Sequence, residues 1–460
     1  MGYTSAAPNA ITCRLPMPDL FRPTARPIRP PLRARLAPYV LAAIGCAALV
    51  LGLGLLTNTL DTDRYYWDFA IYYDMAERGL AGNDDLIAPF VYRFATPLLA
   101  SGIARALPIE HTLAVSASSE GGTFTTTTYP GFVVIAYGAA IAQLVSVYAL
   151  ARAFGVRGWR VAVPALAIAL SLYNVKFLLF DVARPDHLAY PLMVIAMLAV
   201  FERRIALALA VSCLGLFVRE FLAIPPAILA ALLVWDFWKT RRLSRLVWAG
   251  VVVVTTGAFI LIPRLIIPIR VSGQYLDPLN QSGAELLTTL VQTPLSRRRW
   301  LNLAFNVASY TLPIWLLLTP GRARAVWRGL AGWRAILALY SALVLALTLY
   351  GGTDIWRFVT FLFIPLAIAL AALLRAGVPA VEIVYMLGAV AYYNKIFLDI
   401  PNEIGAYLDF YGGYDIRINE ATVARLFELA VLGAGAALLR GLLALARRRL
   451  ARPVASTTLR

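Results

Sequence analysis

Residues 63–75, DRYYWDFAIYYDM, place three carboxylates and six aromatic rings within thirteen positions, just past a long apolar run. A carboxylate can take a proton from a hydroxyl that comes within hydrogen-bond reach. The rings can hold a helix at the membrane–water boundary. On a helix, Asp68, Tyr72, Met75/Ala76 and Gly79 share one stripe. Trp67, Tyr72 and Tyr73 are then candidates for contact with a ligand at that boundary and, equally, for interfacial anchors. An acid of this kind standing alone would merely face water, so the other ionisable groups decide its weight.

Four short segments carry an arginine at or near the end of an apolar run: FVYRFATP with Arg93, FDVARPDHL with Arg184, FVREF with Arg219 and GGTDIWRF with Arg357. Charged groups beside membrane helices are costly and are kept for pairing or for function. Pairing by sequence neighbourhood joins Arg219 to Glu220, Arg357 to Asp354, and Arg184 to Asp181 or Asp186. Convergence of the four at one membrane face would instead build a cavity for an anionic lipid headgroup, because the planar guanidinium binds phosphate through paired, charge-assisted hydrogen bonds. Asp186 and His187 open a further apolar run. They suit contact with an acceptor or a divalent ion, and Asp186 suits a helix-start cap still better. Lys176 and Asn174, inside the preceding run, are placed to snorkel toward such a cavity.

The elements that must position these residues are membrane helices. The chain has 460 residues, of which 60% are hydrophobic and 15% charged, against about 25% charged in an ordinary soluble domain. Windows of spanning length lie near 38–58, 129–151, 161–180, 187–201, 204–218, 221–235, 246–268, 300–318, 335–350, 358–374, 379–396 and 423–443. The fold class expected is therefore an all-α polytopic membrane protein of about twelve helices. Residues 1–37 form a basic, proline-rich arm with six arginines and one acid, and the basic tail 447–460 closes the chain. Between them, 38–446 is one transmembrane domain. The net charge of +17 sits in these arms and in the arginine-rich loops 152–160, 203–204, 239–245 and 321–334. That distribution points to the anionic cytoplasmic leaflet rather than to nucleic acid.

Both termini are thus expected in the cytoplasm, in a cell inner membrane. Segment 59–128, with nine acids and four arginines, falls on the opposite face. It should hold two juxtamembrane helices, near 64–79 and 92–107, followed by a Ser/Thr/Gly-rich loop. The three cysteines and two histidines are too scattered to suggest a disulfide or metal framework. No cofactor is indicated, although a divalent ion is compatible with the acids.

The layout DFAIYYDMAERGLAG…APFVYRFATPLLA resembles the first extracytoplasmic loop of the GT-C fold glycosyltransferases. It is most similar to their polyprenyl-phosphate-sugar-dependent, mannosyltransferase-like branch. The shared features are an Asp, a Tyr four or five residues later, a Gly-Leu-x-Gly turn, and an aromatic-Tyr-x-x-x-x-Pro stretch. The resemblance covers about forty residues. It implies a glycosyltransferase taking a sugar from a polyprenyl-phosphate donor to an acceptor hydroxyl, with Asp68 as the catalytic base and Tyr72 or Tyr73 as the following tyrosine. Arg93 departs from the branch's Tyr-Pro-Pro and leaves the sugar open. Asp61 and Asp63 form a DxD-like pair ranked behind Asp68. Arg93, Arg184, Arg219 and Arg357 are assigned to the donor phosphate by topology, not by the resemblance. The alternatives are a secondary transporter or lipid flippase, and a non-catalytic envelope subunit.

Overall fold

The apolar runs do become helices, and where they break decides the architecture. The computed structural model describes residues 32–56, 68–81, 83, 86, 90–115, 122–267, 291–350, 355–401, 406, 410 and 420–450. Most of the basic arm, the tail past residue 450, and most of the segments 269–299 and 397–422 lie outside the described residues. In chain order the helices are α1 (Leu32–Leu56), α2 (Asp68–Arg78), α3 (Ala95–Ala106), α4 (Tyr129–Ala153), α5 (Val163–Ala169), α6 (Phe177–Phe180), α7 (Asp186–Phe201), α8 (Ile205–Leu216), α9 (Ile224–Thr240) and α10 (Leu243–Ile266). They continue as α11 (Arg297–Tyr310), α12 (Leu312–Leu317), α13 (Pro320–Gly329), α14 (Arg334–Tyr350), α15 (Ile355–Val359), α16 (Phe363–Arg375), α17 (Ala380–Tyr393) and α18 (Glu420–Leu450).

Among the described residues, six helical segments are long and apolar enough to cross a membrane, or eight if two sharply bent pairs are each one span. Several such segments make this a membrane-embedded, polytopic, predominantly helical chain of the all-α class. The number falls short of the twelve windows, for a physical reason. Helices α7, α8 and α17 are 16, 12 and 14 residues long. At 1.5 Å per residue they measure about 24, 18 and 21 Å, less than a hydrocarbon core of about 30 Å. Window 161–180 is bent by 70° where a π-turn over Leu172–Lys176 interrupts it. Window 300–318 is split at Thr311 between α11 and α12. A hydropathy window registers apolar content, not the continuity of the hydrogen-bond ladder.

The segment made of the α15 start, a 3-10 turn over Thr360–Leu362 and α16 is almost wholly buried and forms the centre of the bundle. Helices α10 and α18 lie at its periphery, with most of their surface exposed. On the N-terminal side α4 packs against α1, α3 and α7. Association in lipid relies on close packing rather than hydrophobic drive, and Gly131 illustrates it. A Cβ there would strike the backbone carbonyl of Ala100, so α3 and α4 touch through glycine.

The first inter-span segment contains both expected short helices. Gly79, at φ +76°, ends α2 in the left-handed conformation and donates to the Met75 carbonyl at 3.0 Å, as glycine does at helix ends. The Ser/Thr-rich stretch holds an antiparallel strand pair, β1 (His111–Val115) and β2 (Gly122–Thr126), with His111 opposite Thr126. Its threonines alternate across the pair, and Thr112 and Thr125 meet at 3.2 Å. Glu77 at the end of α2 accepts from Thr126 and, at 3.0 Å, from Thr128, tying the hairpin to the helix.

Candidate functional site

The site starts from α2. Its first turn carries Asp68, one turn before Tyr72. The Asp68 side chain lies outside the described residues, as do Asp61, Asp63 and Trp67 altogether. The two tyrosines are well defined, and both are 2% exposed. Tyr73 packs edge-on against Phe132 of α4 with centroids 5.1 Å apart. Tyr72 meets Phe90 edge-on, and its hydroxyl accepts from Arg93 Nη1 at 3.3 Å. Both rings are therefore set in protein rather than spread in the lipid interface.

Arg93 ends a 3-10 turn over Phe90–Arg93 and reaches across 127 residues of sequence. Its Nε and Nη2 sit 3.0 and 2.9 Å from Glu220 Oε1. Burial works against the Arg93 charge, but Glu220 and Tyr72 outweigh it and hold its pKa above the usual arginine value. Glu220 begins the 3-10 turn Glu220–Ala223 that follows α8, and the break itself is Arg219, in extended conformation at φ −158° and ψ 138°. That break turns the Arg219 side chain into the protein, where it is 1% exposed. Its Nε lies 3.1 Å from Asp186 Oδ1 and 3.9 Å from Glu220 Oε2. The second Asp186 oxygen faces Arg357 Nε at 3.8 Å.

A single ionic chain thus runs Tyr72–Arg93–Glu220–Arg219–Asp186–Arg357 and joins α2, the Phe90 turn, the α8–α9 break, α7 and α15. Phe358 lies beneath two of the cations, 5.2 Å from the Arg219 guanidinium carbon and 5.0 Å from that of Arg357. Its most notable member is Arg219. Neither terminal nitrogen of this buried guanidinium makes a hydrogen bond among the described residues, and its Nε faces Asp186 without hydrogen-bond geometry. Leaving such donors unmet in an apolar interior costs free energy. Midway along the chain, between Arg93 and Arg219, the Glu220 side chain is 36% exposed and gives the chain its opening to the outside.

Sequence neighbourhood predicted these pairings only in part. Arg184 does pair with Asp181 and lies over Phe177, its guanidinium carbon 5.5 Å from the ring centroid. Asp354 lies outside the described residues. Arg219 does meet Glu220, but its nearer partner is Asp186. The expectation of Asp186 as a helix cap is corrected: it occupies the first turn of α7, no side-chain bond caps that helix, and its carboxylate bridges two arginines instead. His187 is buried, with Nε2 3.1 Å from the Asp181 carbonyl oxygen. Among the described residues no three His, Cys, Asp or Glu side chains are grouped to hold a metal ion.

Lys176 also departs from expectation. Its ammonium does not rise toward the arginines but donates to the carbonyls of Lys395 and Ile396, each at 3.1 Å, and of Leu398. Asn174 accepts from Tyr310 at 2.8 Å, and Tyr310 also lies 3.0 Å from the Thr360 carbonyl. Thr360 in turn donates to the Arg357 carbonyl at 2.5 Å and meets the Tyr190 hydroxyl at 2.5 Å. This neutral network leads from the ionic chain to a narrow cleft lined by Tyr173, Asn306, Tyr310, Trp356, Tyr393 and Asn394 among others. Sequence reading missed that cleft because its polar members are scattered over four helices and carry no charge.

Set against protein-family models, curated proteins and solved structures, the chain matches none of them.

Proposed function

We propose that this chain is an integral membrane glycosyltransferase of the GT-C kind. It moves a sugar from a polyprenyl-phosphate donor to an acceptor hydroxyl on the extracytoplasmic face, with both termini in the cytoplasm. One observation supports the reading above the others. A buried guanidinium whose terminal nitrogens make no hydrogen bond among the described residues, Arg219, stands between Arg93 and Arg357 in an ionic chain that ends one turn from Asp68. A phosphate oxyanion supplies the acceptors those donors lack.

The chemistry follows from the residues. Asp68 takes the proton of the acceptor hydroxyl. The acceptor oxygen forms a bond to the anomeric carbon as the bond from that carbon to the phosphate oxygen breaks. The electron pair leaves with the phosphate, where Arg219 and its neighbours stabilise the developing charge. Attack opposite the leaving group inverts the anomeric centre. Glu220, partly exposed between Arg93 and Arg219, is the group an arriving phosphate displaces.

Asp68→Asn tests this directly. In lipid nanodiscs supplied with polyprenyl-phosphate sugars, the variant should lose sugar transfer while eluting and unfolding like the parent chain. Full activity in that variant removes Asp68 from the mechanism. A secondary transporter or lipid flippase is the second reading, favoured by the break at Arg219 between two apolar half-helices, a device of alternating-access carriers. Movement of solute or lipid across proteoliposomes without sugar transfer would select it.

A further inference from the structure

Helices α13 and α14 meet at 103°. Residues 318–350, which contain both, hold four arginines and no acid. One of the four, Arg322, is committed: Nη1 and Nη2 bind Glu382 of α17 at 2.6 and 2.8 Å. The other three are not. Arg324 and Arg328 lie with Trp327 on the exposed face of α13, at the i, i+3, i+4 spacing of one stripe. Neither guanidinium makes an ion pair among the described residues, and the Arg328 Nε reaches only the Arg324 carbonyl, at 3.4 Å. Arg334, at the start of α14, lies over the Trp327 ring with its guanidinium carbon 4.1 Å from the centroid, and its Nε donates to the Trp327 carbonyl at 2.8 Å.

The inner side of the same bend is apolar. An open groove runs between the two helices, lined by Leu318, Ala323, Val326, Leu330 and Leu337 together with Trp327 and Arg334. An apolar slot joined to a cationic edge without counter-charge matches one molecule class, an amphiphile with an anionic head. A short helix with arginine and tryptophan on its exposed face suits the headgroup level of a bilayer.

We infer that the α13–α14 bend is a binding site for an anionic glycerophospholipid, with the phosphate against Arg324, Arg328 and Arg334 and one acyl chain in the groove. The site is independent of the proposed transferase chemistry, and its test measures no sugar transfer.

The test is native mass spectrometry of the full chain in detergent, titrated with phosphatidylglycerol or phosphatidylcholine of identical acyl chains. Each arginine near a membrane surface is worth roughly fivefold in binding an anionic headgroup, so phosphatidylglycerol should bind on the order of a hundredfold more tightly. The R324Q/R328Q/R334Q variant should bring it to the level of phosphatidylcholine. Ala323→Phe, which fills the groove and keeps every charge, should weaken both lipids. Water-soluble glycerophosphoglycerol should fail to displace bound phosphatidylglycerol at equal concentration. Equal binding of the two lipids by the parent chain would overturn the inference. So would a lipid preference surviving in the triple variant, or displacement by the headgroup alone, which would reduce the site to a simple anion contact.

Discussion

Two arginine–carboxylate clusters in this bundle look alike in composition and differ in how completely they are bonded. At Glu382 one carboxylate receives both arms of Arg322 and, at 3.4 Å, the Nε of Arg440, which also reaches the Leu316 carbonyl. The two arginines come from α13 and α18, so three helices are fastened at one point. At Asp186 the carboxylate is fully buried, yet it stands between Arg219 and Arg357 at 3.1 and 3.8 Å, and the terminal nitrogens of Arg219 make no hydrogen bond among the described residues. A cluster with its donors used up is a joint. One that keeps a buried cation short of acceptors is poised to receive something else, because charge-assisted bonds are the strong ones.

The contrast is testable in both directions. Glu382→Gln should give the largest effect, a stability loss of about 3–5 kcal/mol, since removing one partner of a buried ion pair strands the other. It is read as a lowered thermal midpoint, with transfer per folded molecule unchanged. Arg219→Gln leaves the buried Asp186 carboxylate with Arg357 as its counter-charge, so the midpoint should fall by less than in Glu382→Gln, while sugar transfer falls about 10²–10³-fold, the usual effect of deleting one preorganised donor to a developing anion. If Arg219→Gln instead unfolds the chain as Glu382→Gln does, the two clusters are both joints and the contrast dissolves. Smallest is Tyr72→Phe, which removes one 3.3 Å bond to Arg93 and should cost about 1 kcal/mol. Transfer by that variant should drop less than tenfold; a deeper loss would place the hydroxyl in contact with substrate.

What could be read from the residues alone divides along the same line. That arginines sit at the ends of apolar runs is visible in FVYRFATP, FVREF and GGTDIWRF, and so is the suspicion that they serve one purpose. Their partners are not visible, because neighbourhood offers only local answers: Arg219 beside Glu220 conceals that Arg219 lies closer to Asp186, and nothing in the sequence joins Arg93 to Glu220. Asp186 has the composition and position of a helix-start residue, and only the crossing of α7 with the α8–α9 break turns its carboxylate sideways. The helix windows fail for a related reason. Leucine-rich stretches such as 204–218 announce burial, but a short buried helix and a full crossing share that composition, and the stopping point depends on the surrounding protein.

Lys176 supplies a mechanical corollary. Its ammonium coordinates three peptide oxygens at residues 395–398 much as a desolvated alkali ion would, while Arg425 of α18 donates separately to the Tyr393 carbonyl at 2.5 Å. The unwinding end of α17 is thereby soldered to the π-turn preceding α6. One side chain thus bridges segments separated by about 220 residues of sequence.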